Sequence, residues 1–406
     1  MGEMVVRGAT VIDGRGADPS VRDVVIGGDG LIAEGGRSGG ATLDLDGLTL
    51  LPGLIDAHTH IAPLNTVRSG TATVAEIAAE MFAILRDALD AGFTTLRDCG
   101  GVDGGLVRAL ERGLIPGPRV IPAGPILCQT GGHGHMAPPF AGPARAAEMS
   151  VPGLAEMSIQ CDGPDAVRRG ARLAFQRGAR FLKMCVTGGV ISHSDALTDT
   201  QFTVPELRAA VEEAAARGTY VTVHAHNNAG VRNAMEAGVR GVEHGTMIDA
   251  ELAEQMAAAG MYLVPTLAVT EMLRDHGREH GYEDHILARL GTVGADMGNA
   301  AKIAYDAGVP VGSGSDLSGP GSERRGMEIA LKARTLGAAA AIESATSVNA
   351  RILGIADKVG TIAAGRHADV IAVDGDPLTD PGLLADPANV RVVIRAGEIT
   401  KDARTA

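Results

Sequence analysis

The 406-residue chain carries 36 Lys and Arg against 49 Asp and Glu, a net charge of -13, and acid spread along the whole chain disfavours nucleic acid as a partner. Hydrophobic content of 45% with 21% charged residues is that of a soluble globular protein, long enough for one large domain with an appendage. No apolar run approaches the roughly 18 residues of a membrane span, the first residues lack a signal peptide's basic start and apolar stretch, and Cys99, Cys128, Cys161 and Cys185 show no Cys-x-x-Cys spacing, so a cytoplasmic protein with reduced thiols and no membrane partner is expected.

Residues 4 to about 50 read as short strands broken by Gly and Asp (Val5 to Ile12, Asp23 to Ile26, Leu31 to Ala33, Leu43 to Leu45), the rhythm of a small β-sandwich or sheet. From Leu51 the rhythm changes to apolar strands alternating with amphipathic helices. Leu51-Pro52-Gly53-Leu54-Ile55-Asp56-Ala57-His58-Thr59-His60 is the first strand, followed by helix Val74 to Ala91, strand Thr94 to Cys99, helix Gly105 to Gly113 and strand Arg119 to Leu127. A long Gly/Pro/Met-rich segment, 128 to 163, precedes helix Pro164 to Gly178 and strand Phe181 to Val186. Helix Val204 to Arg217 opens with Thr203 and Glu206 at capping-box spacing, and strand Tyr220 to His224 follows. The series continues with helix Gly230 to Ala237, strand Gly241 to His244, helix Ala250 to Ala259, strand Met261 to Val269, helix Val293 to Ala307, strand Val309 to Ser315 and helix Gly326 to Leu336. Helix Ala338 to Leu353 leads to short strands Asp369 to Val373 and Val390 to Arg395.

Eight such units imply an α/β fold closed as a (β/α)8 TIM barrel, with its site at the C-terminal ends of the strands. An open doubly wound sheet would need a Gly-rich phosphate loop after the first strand, where His58-Thr59-His60 stands instead. The expected organisation is a barrel over 51–355, with 1–50 and 356–406 together forming the small β domain.

The polar residues at the strand ends form a set: His58 and His60 on the first, Lys183 on the fourth, His224 and His226 on the fifth, His244 on the sixth and Asp316 on the eighth. On a strand, residues i and i+2 share a face, so His58 and His60 can reach one ion. One histidine at a strand end is more often structural, but five with an aspartate on matching ends make a metal site the better reading. His58, His60 and Asp316 would hold one divalent ion, His224 and His244 a second. Lys183 alone would be read as an ordinary salt bridge; carboxylated by CO2 it becomes a carbamate whose two oxygens can bridge the pair. His226 shares a face with His224 and is placed for substrate, as are His133 and His135 on the Gly-rich loop after the third strand and, more loosely, His193. Arg324 and Arg325, past the eighth strand, are either a grip for an anionic substrate end or plain surface charge. His276, His280, His285 and His367 read as surface.

This order of ligands over strands one, four, five, six and eight resembles the binuclear amidohydrolase superfamily over essentially the whole chain. Val11-Ile12-Asp13-Gly14, Thr95-Leu96-Arg97-Asp98, Gly241-Val242-Glu243-His244-Gly245 and the stretch Gly360 to Val370 look similar too. Within it, Thr130-Gly131-Gly132-His133, Thr187-Gly188-Gly189-Val190 after Lys183, and His224-Ala225-His226 resemble the imidazolonepropionase-related branch that includes Xaa-Pro dipeptidases, Xaa-Arg/Lys carboxypeptidases and ochratoxin-type amidases. The departure is His226, where some dipeptidases of the branch have a tyrosine implied to hold the substrate carboxylate. The resemblance implies a hydroxide shared by two ions, Zn2+ foremost among Zn, Mn, Co and Fe, attacking the amide carbonyl of a small-molecule dipeptide or N-acyl amino acid, with Asp316 moving the proton. The alternatives are a cyclic amidase or imidazolonepropionase-like ring opening and, against the evidence of Lys183, a deaminase. A homo-oligomer is expected by analogy.

Overall fold

The computed structural model describes residues 2–35, 40–62, 72–135, 150–279, 283–319 and 321–404, apart from the side chains of His285 and Ala295. It is an α/β structure with mixed sheets. Strands β1 (Leu54–Thr59), β2 (Phe93–Asp98) and β3 (Arg119–Pro122) pair in parallel, as do β4 (Leu182–Cys185), β5 (Val221–Ala225), β6 (Gly241–His244) and β7 (Tyr262–Val264). The backbone joins these groups at both ends. Arg180 N donates to Pro122 O at 2.8 Å, Gly312 N to Leu263 O at 2.8 Å, and Ala57 N to Ser313 O at 2.8 Å.

Helices α1 (Val74–Asp90), α2 (Gly104–Glu111), α3 (Pro164–Gln176), α4 (Val204–Ala215), α5 (Asn228–Ala237), α6 (Ala250–Ala258), α7 (Leu267–His276), α8 (Asp284–Asp306) and α9 (Met327–Leu336) follow the strands. Their apolar residues recur at helical spacing: Val167, Ala171 and Ala174 on α3, Leu207, Ala210 and Ala214 on α4, Val231 and Ala234 on α5. They meet Val221, Val223 and Ala225 of β5 in one cluster. Alternation on β5 sends Thr222, His224 and His226 the other way. The capping box at the start of α4 is present, with Glu206 accepting from Thr203 N at 2.7 Å.

The terminal segments share a six-stranded sheet in the order Glu398–Asp402, Val390–Arg395, Val370–Asp374, Leu48–Pro52, Thr10–Val11, Ser20–Val21. A three-stranded sheet of Val24–Ile26, Met4–Arg7 and Ala41–Asp44 contributes to the same apolar cluster, where Val6, Val24 and Leu43 meet Leu50, Val370 and Val392.

Five expected boundaries move. Leu51 and Pro52 belong to the terminal sheet, paired with Ile371 and Val370, and the chain leaves it at Gly53. A Cβ there would lie 2.2 Å from Thr94 Oγ1, so only glycine lets the crossing strand pass. The third strand divides into Arg119–Pro122 and Ile126–Cys128. The seventh is only Tyr262–Val264, since Leu267 already opens α7, and α8 begins at Asp284, nine residues before the expected Val293. The last expected helix is Ala338–Glu343, a π-turn over Ser344–Val348, then Asn349–Ile352. No described helix is long and apolar enough to cross a membrane, and all four cysteines are free and buried.

Candidate metal centre

One cavity of about 320 Å³ gathers most of the candidate residues: His58, His60, His133, Lys183, His224, His226, His244 and Asp316 all line it. Asp316 Oδ1 lies 3.3 Å from His58 Nε2 and 3.3 Å from His60 Nε2, and these three can surround one ion. The His224 ring stands 4.6 Å from His244 and 4.6 Å from His226, centre to centre, and His58 is 5.0 Å from His244. The two candidate ligand groups are therefore neighbours.

Each ring is oriented through one nitrogen, which leaves the other for a ligand. His58 Nδ1 bonds Glu243 Oε2 at 2.7 Å and His60 Nδ1 bonds Gly100 O at 2.8 Å. His244 Nδ1 meets Thr266 Oγ1 at 2.7 Å, His226 Nδ1 meets Thr246 Oγ1 at 2.8 Å, and His224 Nε2 meets Gly188 O at 3.3 Å. Two of the site residues take a left-handed backbone, His244 with φ 69° and Asp316 with φ 57°, a conformation that costs a non-glycine residue roughly 1 kcal/mol or more. At His244 the strain has a visible use. Neighbouring strand residues normally face opposite sides, yet Glu243 and His244 both reach the interior, one under His58 and the other into the cavity.

Below the histidines lies a charged network with no access to solvent. Glu243 Oε1 accepts from Arg97 Nη2 at 2.6 Å and from Thr222 Oγ1. Arg97 also donates to Ala57 O and, at 2.8 Å, to Tyr262 OH. Burial pushes Glu243 up, but Arg97 and His58 outweigh it and hold the carboxyl down at about 2. Asp316 behaves alike: burial raises it, His58, His60 and His244 pull it well below the ordinary carboxylate range. Burial first, then neighbouring imidazoles such as His133, holds His224 well below its ordinary value and His226 at about 3, so both rings are neutral and able to coordinate. A second buried pair backs β1. Asp56 accepts from His58 N at 3.1 Å, Ser315 Oγ at 2.6 Å and Arg325 Nη1 at 2.9 Å.

Lys183 is 3% exposed, and its Nζ has no hydrogen bond or ion pair among the described residues. A bare buried ammonium beside imidazoles is costly. The donor set fits divalent ions: imidazole nitrogens and a carboxylate suit them, and the buried Lys183 lines the same cavity.

The structure redistributes the substrate candidates. His133 lines the cavity and stacks on His224 at 4.0 Å with 23° between rings. His135 does not line it; its Nδ1 accepts from Gly131 N at 2.9 Å and closes its own turn. His193 is exposed away from the cavity. Arg324 is exposed and absent from the lining, whereas Arg325 is fully buried against Asp56, because one turn of 3-10 helix over Ser322–Gly326 sends adjacent side chains opposite ways. His276 and His367 are half-buried, and His280 lies outside the described residues. Arg97, Glu243 and Thr266 were not recognised from sequence as partners of the ligands. Their signal was an ionisable pair on strands otherwise buried. Much of the remaining wall is aliphatic, with Val190 and Ile191 from the loop after β4, Leu273 from α7, and Leu290, Val293 and Met297 from α8, while Glu80, Thr270 and Ser318 add polar groups.

Imidazoles converging on a carboxylate at strand ends, above a buried charged network, define a metal-dependent hydrolase. The family model described as "Amidohydrolase family" matches residues 49–400, and the chain belongs to that family as a hydrolase acting on carbon–nitrogen bonds. Ochratoxinase of Aspergillus niger is 33% identical over 366 residues, covering 87% of this chain and 75% of that protein. A prolidase solved with N-methylphosphonate-L-proline is 35% identical with a TM-score of 0.93, covering 98% of this chain and 100% of the other. A Xaa-Pro dipeptidase with methionine bound in its active site is 29% identical with a TM-score of 0.86, at 98% and 100% coverage.

Proposed function

We propose that this protein hydrolyses the amide bond of a dipeptide or N-acyl amino acid, with His58, His60 and Asp316 holding one divalent ion, His224 and His244 a second, and the carbamate of Lys183 between them. The observation that carries this is Lys183, buried without a partner among histidines oriented for coordination. Addition of CO2 to the amine of Lys183, with release of two protons overall from the ammonium form, would replace a buried cation by a carbamate anion whose oxygens could serve as metal ligands. Zinc suits the nitrogen and oxygen donors. Bound divalent ions polarise a carbonyl and lower the pKa of water. Asp316, kept as a carboxylate by the imidazoles around it, accepts the proton of the attacking water and passes it to the leaving nitrogen. Water is thereby added across the C–N bond, which breaks to give acid and amine. His226 and His133 border the space left for substrate.

The backbone bonds that link β3 to 180–182, β7 to 310–312 and 313–316 to β1 support a closed eight-stranded barrel over 51–355. The apolar cluster common to both terminal sheets supports a small β-sandwich domain built from 1–50 and 356–406. The likeness to a Xaa-Pro dipeptidase, a prolidase and an ochratoxinase supports a dipeptide or N-acyl amino acid as the amide.

The test is metal content per chain after purification with zinc and bicarbonate, combined with hydrolysis of a panel of dipeptides and N-acyl amino acids by wild type and Lys183→Ala. Two ions per chain in wild type, with loss of at least one ion and of activity in the variant, is the expected result. One tightly held ion and an indifferent variant would remove the carbamate from the reading.

A further inference from the structure

The loop 187–201 after β4 is closed at its base by a bridge between Thr187 and Thr200 and wraps the ring of His133. Gly189 packs against that ring so closely that a Cβ would lie 2.1 Å from its Cε1. Ser192 Oγ is 3.0 Å from His133 Nδ1 and donates to Asp195 Oδ1, which makes the ring nitrogen the donor to Ser192. Asp195 Oδ2 accepts from Gln201 Nε2 at 2.8 Å, and Gln201 Oε1 accepts from His133 N at 3.0 Å. The bracket is complete: both the backbone and the ring of His133 are held by this one loop. Gly188 O, in the same loop, receives His224 Nε2.

The loop in turn is held from α8. Arg289 Nη1 donates to Gly189 O at 3.1 Å and Ser192 O at 2.7 Å, and Nη2 to Asp195 O at 2.7 Å. Three carbonyls on one planar fork is a geometry a single ammonium does not reproduce. Leu290, Val293 and Met297 of the same helix line the cavity, so the residue that anchors the loop belongs to the element that forms the apolar wall.

We propose that Arg289 is a positioning residue for substrate: by clamping the carbonyls of Gly189, Ser192 and Asp195 it fixes His133 against His224 and couples that ring to the apolar wall of α8. The claim rests on the hydrolase reading of the cavity. Arg289 itself touches no candidate ligand, and its loop reaches the ligand set only through Gly188 O on His224, so its loss is expected to act chiefly on substrate binding with both ions retained.

The test uses full-length, metal-loaded protein as wild type, Arg289→Ala, Arg289→Lys, His133→Ala and the double variant Arg289→Ala/His133→Ala, with melting curves for each. KM and kcat are measured on the amide panel, and ring resonances are recorded with 15N-labelled histidine. Arg289→Ala is expected to move the resonance that His133→Ala deletes, raise KM about tenfold, leave two ions per chain, and have no further effect on KM once His133 is gone; Arg289→Lys recovers less than half of the loss. An unmoved His133 resonance in Arg289→Ala overturns the proposal, and so do additive KM effects in the double variant, which would mark Arg289 as a purely structural anchor. Should Arg289→Ala fail to fold, Arg289→Gln keeps one donor and carries the same comparison. If wild type cleaves no amide in the panel, the hydrolase reading fails by itself, and the resonance comparison still decides whether Arg289 places His133.

Discussion

The floor and the cover of the cavity are built on different physics. On the floor, His58 and His244 are aimed by side chains, Glu243 and Thr266, that are themselves wholly buried, and Glu243 is neutralised by an arginine with no solvent exposure. In the cover, aliphatic side chains of α7, α8 and 190–191 face the cavity, and the polar contacts that order it run mostly to backbone carbonyls of a loop. Charged groups in a low-dielectric setting have few acceptable arrangements, so the floor keeps one geometry for metal chemistry. Aliphatic contacts are tolerant of shape, which leaves the cover free to suit a particular substrate.

Three substitutions sharpen this contrast, beginning with the largest effect. Asp316→Asn removes the proton carrier and one candidate ligand oxygen; kcat is expected to fall by about 10²- to 10⁴-fold, read from initial rates normalised to bound metal. A loss of less than about tenfold would take the proton step away from Asp316.

Glu243→Gln tests the floor without touching a ligand. The amide oxygen of glutamine satisfies Arg97 and turns its NH2 toward His58 Nδ1, which must then accept, so the proton moves to Nε2 and that nitrogen can no longer coordinate. Metal affinity is expected to drop about 10- to 100-fold, measured by competition with a chromophoric chelator, and the protein melts at lower temperature because the charge of Arg97 is left uncompensated. Unchanged affinity would show that Glu243 only neutralises Arg97.

Met297→Ala, in the cover, is expected to change KM by less than about tenfold with metal content and the pH dependence of kcat unaltered, at a stability cost of about 2 kcal/mol by chemical denaturation. If its metal affinity moved as far as that of Glu243→Gln, floor and cover would be one coupled unit and the contrast would be wrong.

Much of the floor was legible before any coordinates. The spacing of His58 and His60 needs only the two-residue repeat of a strand, and the alternation of apolar and polar residues on β5 already separates His224 and His226 from Val223 and Ala225. The residues that serve the ligands were not legible, because their partners lie on other strands: Arg97 comes from β2, Glu243 from β6 and Thr266 from the turn after β7. The Gly-rich loop gave a mixed picture. His133 and His135 are two positions apart, yet only His133 reaches the cavity, since His135 turns back on Gly131.

Local order followed from local pattern. Helix phase, the capping box at Thr203 and the succession of strands and helices are decided by interactions over a few residues, and their periodicity is written in the chain itself. What only the tertiary structure decided is direction. Arg324 and Arg325 are equivalent as letters, and the single turn over Ser322–Gly326 exposes one and buries the other against Asp56. The switch of sheet at Gly53, the left-handed backbone that turns His244 inward and the arginine fork on the loop after β4 all depend on how strands distant in sequence are registered. Such contacts leave no period in the sequence because their energy is realised only when the chain has closed on itself.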